Sequence, residues 1–223
     1  MSPTSDEIKK QEIVDQLVWN NSVDANDVRV EVINGMVTLE GTVPSYAAKM
    51  AAEREAYLVS GVTSVENLIE VELPAEVPPP GDVEIARNVE SKLLWNNQIN
   101  AAGISVRSEN GVVTLTGSVD SYWEKNLAEG IAASSQGVMQ VINELVVVPK
   151  ISAIDADVEE DIRRAFRRSA LVDETSVDVS VSNGIAHLSG TVPFYAMKRE
   201  AIDIAVFTTG VVDVVDNISI SYE

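Results

Sequence analysis

The chain contains no cysteine and a single histidine. Disulfides, thiolate metal sites and cysteine nucleophiles are thereby excluded, and one histidine without cysteine cannot complete the usual zinc ligand set. Basic residues are also scarce: 16 lysines and arginines stand against 35 aspartates and glutamates, a formal charge of −19. A field of that sign repels phosphate backbones and anionic bilayer surfaces at long range, so nucleic acid is not expected as a partner. No run approaches the ~20 apolar residues that span a bilayer. The amino terminus, Met1-Ser-Pro-Thr-Ser-Asp-Glu7, lacks a basic segment followed by an apolar one. As written, the chain is expected to be soluble and cytoplasmic; a chain already relieved of a signal peptide would read the same way and belong to the periplasm. Phosphate-cradling glycine patterns of the G-x-x-x-x-G-K and G-x-G-x-x-G types are missing.

What is present is a globular composition, 45% hydrophobic and 23% charged, and a repeat. Gly35-Met-Val-Thr-Leu-Glu-Gly-Thr-Val-Pro-Ser-Tyr46 recurs as Gly111-Val-Val-Thr-Leu-Thr-Gly-Ser-Val-Asp-Ser-Tyr122 and as Gly184-Ile-Ala-His-Leu-Ser-Gly-Thr-Val-Pro-Phe-Tyr195. Offsets of 76 and then 73 residues also carry Gly61 onto Gly137 and Gly210, so one register spans a unit of roughly 65–70 residues. Three modules are expected, at 6–73, 83–149 and 158–222. A stiff proline-rich linker, 74–82, joins the first two, and a second linker, 150–157, leads to the third.

Within each unit the first segment has apolar residues four apart, as in Ile13/Leu17, Ile85/Val89/Leu93 and Val158/Ile162/Phe166, which marks one face of a helix. Two β-rich runs follow, joined by Asn34-Gly35, Asn110-Gly111 and Asn183-Gly184, the strongest short-range hairpin signal. Gly41, Gly117 and Gly190 interrupt the second run, where a missing Cβ points to a bulge or a close backbone approach. A second helix carries small residues four apart (Ala52/Ala56, Ala128/Ala132, Ala201/Ala205). Gly61, Gly137 and Gly210 are expected at the left-handed C′ position that ends it. A last strand, such as Val141–Val148, should run parallel to the second strand. The expected fold class is α+β: three tandem α-β-β-α-β modules, each a three-stranded mixed sheet with two helices on one face. Asn217 lies one residue further from its glycine than Asn67 and Asn143 do, so a bulge or register change is expected there.

The glycine-turned hairpin G-x-V-x-L-x-G-x-V, the alanine-bearing helix and the closing G-V-x-x-V-x-N resemble the BON family, the bacterial OsmY and nodulation domain. Gly35–Val43, Gly61–Asn67 and Gly137–Asn143 carry the pattern closely. The resemblance implies the same α-β-β-α-β fold, osmotic-stress or envelope association, and phospholipid or protein binding. It implies neither catalytic residues nor a cofactor.

The best localised charge feature is Arg163-Arg164-Ala-Phe-Arg167-Arg168. Four guanidiniums on adjoining helix faces could hold a phosphate or lipid headgroup. Glu159 and Glu160 each precede an arginine by four residues, however, and ordinary surface ion pairs are the favoured reading. Trp19 and Trp95 lie near the end of the first helix of modules one and two, either as membrane-interface or partner anchors or, the favoured reading, as half-buried cover for a sheet edge. Tyr46, Tyr122 and Tyr195 open the second helix of every copy and read as structural wedges. His187 stands where the other copies have Thr38 and Thr114, an ordinary sheet-surface position.

Two functions are expected from these residues. The first is a non-catalytic binding protein whose repeated modules engage membrane phospholipid or an envelope protein. The alternative is a protein–protein adaptor or chaperone-like scaffold, self-association included. A low-affinity carboxylate site for a divalent cation ranks third.

Overall fold

In the computed structural model the described residues are 4–19, 27–73, 80–150 and 153–221. The first module comprises α1 (Ser5–Trp19), β1 (Val28–Ile33), β2 (Met36–Val43), α2 (Tyr46–Leu58) and a last strand in two pieces, β3 (Ser64–Asn67) and β4 (Glu70–Val71). The second has α3 (Asp82–Trp95), β5 (Ile104–Glu109), β6 (Val112–Val119), α4 (Tyr122–Ala133) and β7 (Gln140–Val147). The third has α5 (Asp155–Arg168), β8 (Val177–Ser182), β9 (Ile185–Val192), α6 (Tyr195–Phe207) and β10 (Asp213–Ile220). In each, the hairpin pair is antiparallel and the last strand lies parallel beside the central one. The expected α+β class and the three repeated modules are therefore present. Most of the proline spacer, residues 74–79, lies outside the described residues. Helix α5 begins at Asp155, so its first turn occupies positions that the sequence assigns to the second linker.

Both helices of a module share one core with the inner face of its sheet. Ile13 and Leu17 from α1 and Ala52 and Ala56 from α2 meet Val30, Val37 and Leu39. Ala52 and Ala56 of α2, Ala128 and Ala132 of α4, and Ala201 and Ala205 of α6 are all fully buried, and their small side chains let each helix lie close to its sheet. Asn34, Asn110 and Asn183 adopt φ near +52°, with glycine at positive φ after each, as a primed hairpin turn requires. At Gly117 a Cβ would fall 2.0 Å from the Gly103 carbonyl oxygen, which explains the interrupted strand as a close backbone approach.

Two expectations need correction. Gly61, Gly137 and Gly210 are left-handed, but they lie two or three residues beyond the C-caps Val59, Ser134 and Thr208 rather than directly after them. They turn the chain beneath the start of the first helix, where a Cβ on Gly137 would meet Pro80 and Ile85. The bulge expected at Asn217 is not formed either. β10 runs unbroken, with Asp216 opposite Leu188 just as Asn143 is opposite Leu115 and Asn67 opposite Leu39.

Asp216 thus takes the asparagine position, and the bonding changes with it. The Asn67 and Asn143 amides donate to Lys49 O and Lys125 O and to the carboxylates of Glu53 and Glu129. In module three Lys198 Nζ reaches across instead, 2.7 Å from Asp216 and 2.7 Å from the Ile218 carbonyl.

A carboxylate at the start of each first helix clamps the hairpin turn. Asp82 accepts from the Asn110 and Gly111 amides at 2.8 and 2.9 Å and from the Ser108 hydroxyl at 2.7 Å. Asp155 accepts from Asn183 and Gly184, and Asp6 from Asn34. The donated amides hold the Asp82 carboxyl below its ordinary value, Gly111 contributing most.

The modules close on one another head to tail. Tyr46 of module one packs on the core of module two, its hydroxyl at the Val141 amide. Tyr122 of module two packs on the core of module three, its hydroxyl at the Val214 amide and the Asp213 carboxylate. Val141 and Val214 are equivalent positions, so one spatial relation is used twice. A third use brings module three back to module one: Tyr195 stacks on Tyr57, ring centroids 4.4 Å apart and 12° from parallel. Val65, the equivalent of Val141 and Val214, gives its amide to the Tyr57 hydroxyl at 3.2 Å. Three steps that return to the start describe a closed ring of pseudo-threefold character.

Two outcomes follow. Because the folded-state pKa of Asp82 is depressed, its clamp stabilises module two above the ordinary carboxyl value of 3.8 and is lost as pH falls through the lowered value. Asp82→Ala should therefore lower the urea midpoint at pH 7, and the gap from the parent should narrow in acid. Tyr122→Ala should weaken the joint between modules two and three by roughly 2 kcal/mol or more, splitting the calorimetric transition and enlarging the radius of gyration in X-ray scattering. Titration by ultraviolet absorbance should place the Tyr122 ionisation near pH 12, pushed up by burial and the Asp213 carboxylate.

Candidate functional site

The buried stripe of α5 is Val158, Ile162 and Phe166, which turns its arginines towards solvent. Arg163 donates to Glu159 at 3.1 Å and also to the Val179 carbonyl at 2.6 Å, bolting α5 to β8. Arg164 pairs with Asp161, and Arg167 with Glu160 at 2.7 Å and Glu174 at 3.5 Å. Arg168 is exposed and has no hydrogen-bond or ion-pair partner among the described residues. The four guanidiniums thus do not gather into one anion cradle. Three are neutralised in pairs whose exposure holds each to about 0–1 kcal/mol.

Trp19 and Trp95 are 82% and 88% exposed, so the half-buried cover expected at the sheet edge is not what they provide. The reason is angular. Each follows a fully buried leucine, Leu17 or Leu93, by two residues, and 100° per residue turns it about 200° from the core stripe. Val18 and Leu94 beside them are 65% and 70% exposed. Arg168 follows buried Phe166 by the same two residues. The repeat places Trp19, Trp95 and Arg168 at one equivalent position of the three modules, exposed in each.

The recurrent tyrosines behave as wedges between modules. Tyr122 is joined by Trp123, which lies 6.0 Å from Phe207 of module three. His187 is exposed on the outer sheet face between Ser180 and Val215. An open cleft of about 710 Å³ between α5 and α6 contains Arg164, Arg168, Glu200, Asp203 and Phe207. Its acids are already engaged: Glu200 with the Ser169 hydroxyl and Asp203 with Arg199. Among the described residues, no group of three or more histidine, aspartate or glutamate side chains converges as a metal site. Among the described residues, no helix is long and apolar enough to cross a membrane.

The turn clamp of Asp6, Asp82 and Asp155 was not among the expected site residues. The signal was available, since Asp6, Asp82 and Asp155 repeat at the same two offsets as the glycines.

Comparison with known proteins agrees with this architecture. The chain is 33% identical over 132 residues to osmotically-inducible protein Y of Escherichia coli, covering 58% of this chain and 66% of that protein, just under two thirds of its length. It is 32% identical over 139 residues to the outer membrane lipoprotein DolP of Haemophilus influenzae, covering 60% and 72%. A 21 kDa hemolysin of Actinobacillus pleuropneumoniae is 30% identical over 142 residues, covering 61% and 73%. The BON domain pattern matches residues 5–72, 81–149 and 154–222, so nearly the whole chain is accounted for and the protein belongs to the BON domain family, with three copies in tandem.

Proposed function

We propose that this chain is a non-catalytic binding protein of the bacterial envelope, linked to osmotic stress, that attaches to phospholipid through the exposed ends of its first helices. The observation that carries this reading is the exposure of Trp19, Trp95 and Arg168 at one equivalent position of the three modules, with exposed Val18 and Leu94 beside the tryptophans. Tryptophan suits the membrane interface because it presents an apolar body and one polar N–H, and arginine suits a phosphate headgroup. Three such contacts on one chain raise one another's effective concentration. Relatives named for osmotic induction and for the outer membrane support an envelope location, the periplasm included.

A net charge of −19 opposes approach to anionic lipid, so attachment rests on apolar insertion rather than on long-range attraction. The adaptor or chaperone-like scaffold remains the second reading, favoured by the same exposed pairs Val18–Trp19 and Leu94–Trp95.

Co-sedimentation with phospholipid vesicles tests the first reading. Trp19→Ala and Trp95→Ala should each reduce binding roughly tenfold, since burying a large apolar side chain yields ~1.5–3 kcal/mol. Added salt should not release the protein, because it screens repulsion rather than attraction. Arg163→Gln and Arg167→Gln should leave binding unchanged, and absence of sedimentation with every lipid mixture would sink the membrane reading.

A further inference from the structure

The three joints of the ring are built alike but held differently. In the joints from module one to two and from two to three, the tyrosine packs on the core of the receiving module, Tyr46 near Val141 and Tyr122 near Val214. In the joint from module three to one, the corresponding Val65 amide is already taken by Tyr57, and Tyr195 only stacks over that ring. The joint from two to three has a second aromatic contact, Trp123 on Phe207. The equivalent positions in the closing joint are Ala196 and Leu58, and Leu58 is left 56% exposed. The first two joints also connect modules that are neighbours in the chain, whereas the closing joint connects the first module to the last.

We propose that the closing joint is exchangeable: the Tyr195 end of α6 in one copy seats on the Tyr57 face of module one in a second copy. Head-to-tail contacts are not self-complementary, so a joint that closes a ring within one chain can form unchanged between two. The modules two and three that remain tethered keep their own wedges, and the surface exchanged is the one already used within the monomer. At low concentration, closure within the chain wins because the tether supplies an effective concentration in roughly the millimolar range. Exchange is thus a property of concentrated protein. The charge of −19 on each copy opposes the encounter, so added salt, which shortens the reach of that repulsion, favours it.

The test mixes full-length chains of natural isotopic content with 15N-labelled chains. The mixture is concentrated to roughly the millimolar range set by the tether, diluted, and examined by native mass spectrometry and light scattering. The parent should give dimers containing one heavy and one light chain, in a fraction that rises with protein concentration and with salt. Tyr195→Ala should be monomeric with an enlarged hydrodynamic radius, because the same contact is lost within the chain and between chains. Tyr195→Phe keeps the stacked ring and should dimerise as the parent does. Trp123→Ala, in a tethered joint, should leave the dimer fraction as it was. Circular dichroism confirms that each variant keeps its modules folded. A parent that stays monomeric at every concentration and salt, an equal dimer fraction in Tyr195→Ala, or loss of dimer in Tyr195→Phe would each overturn the proposal. None of these readouts involves lipid, so their failure is separable from that of the vesicle experiment.

Discussion

In the first two modules the tyrosine at the head of the second helix completes a neighbour instead of its own module, and the arrangement of the protein depends on that contact. Tyr46 and Tyr122 each place an aromatic ring against a foreign core and a hydroxyl against a foreign strand amide. The ring supplies apolar area, and the hydroxyl gives the wedge one polar end close to the receiving strand. Without these wedges three modules of roughly 70 residues would be independent beads. With them, each module is held against the next in a repeated way.

The module itself was legible because its signals are local. Asn-Gly turns, glycines in fixed register, alanines four apart and apolar residues at helical spacing each report the backbone where they stand, and the repeat presents every signal three times. The exposure of Trp19 and Trp95 was legible too, since two residues beyond a buried leucine is the wrong side of a helix for a core contact. The expectation of half-burial came from the general habit of tryptophan rather than from its place on the helix. The ring was not legible. Its contacts depend on shape complementarity between modules, and Tyr57, which alters the closing joint, has Ala133 and Val206 as counterparts and so leaves no repeated trace.

Charge gives the third module a different character within the same frame. Where two copies tie the last strand to the second helix with an asparagine amide and a glutamate, the third uses Lys198 and Asp216, with Ile202 where the glutamates stand. The register is unchanged because the bond partners are changed together. The arginines of α5 follow the same logic, since their counter-charges Glu159, Glu160, Asp161 and Glu174 lie mostly on the same helix. Of the four arginines of α5, Arg168 is the one without a pair among the described residues.

Because each module's wedge belongs structurally to the next one, the cyclic order of the modules matters more than where the chain begins. New termini opened between modules two and three, with the old ends joined, would preserve all three contacts in sequence one-two-three-one. Transposing two modules would reverse the direction of travel and face every wedge with the wrong surface. Removing the first module would strip Tyr46 from the core of the second. The protein is thus divisible by rotation but not by excision.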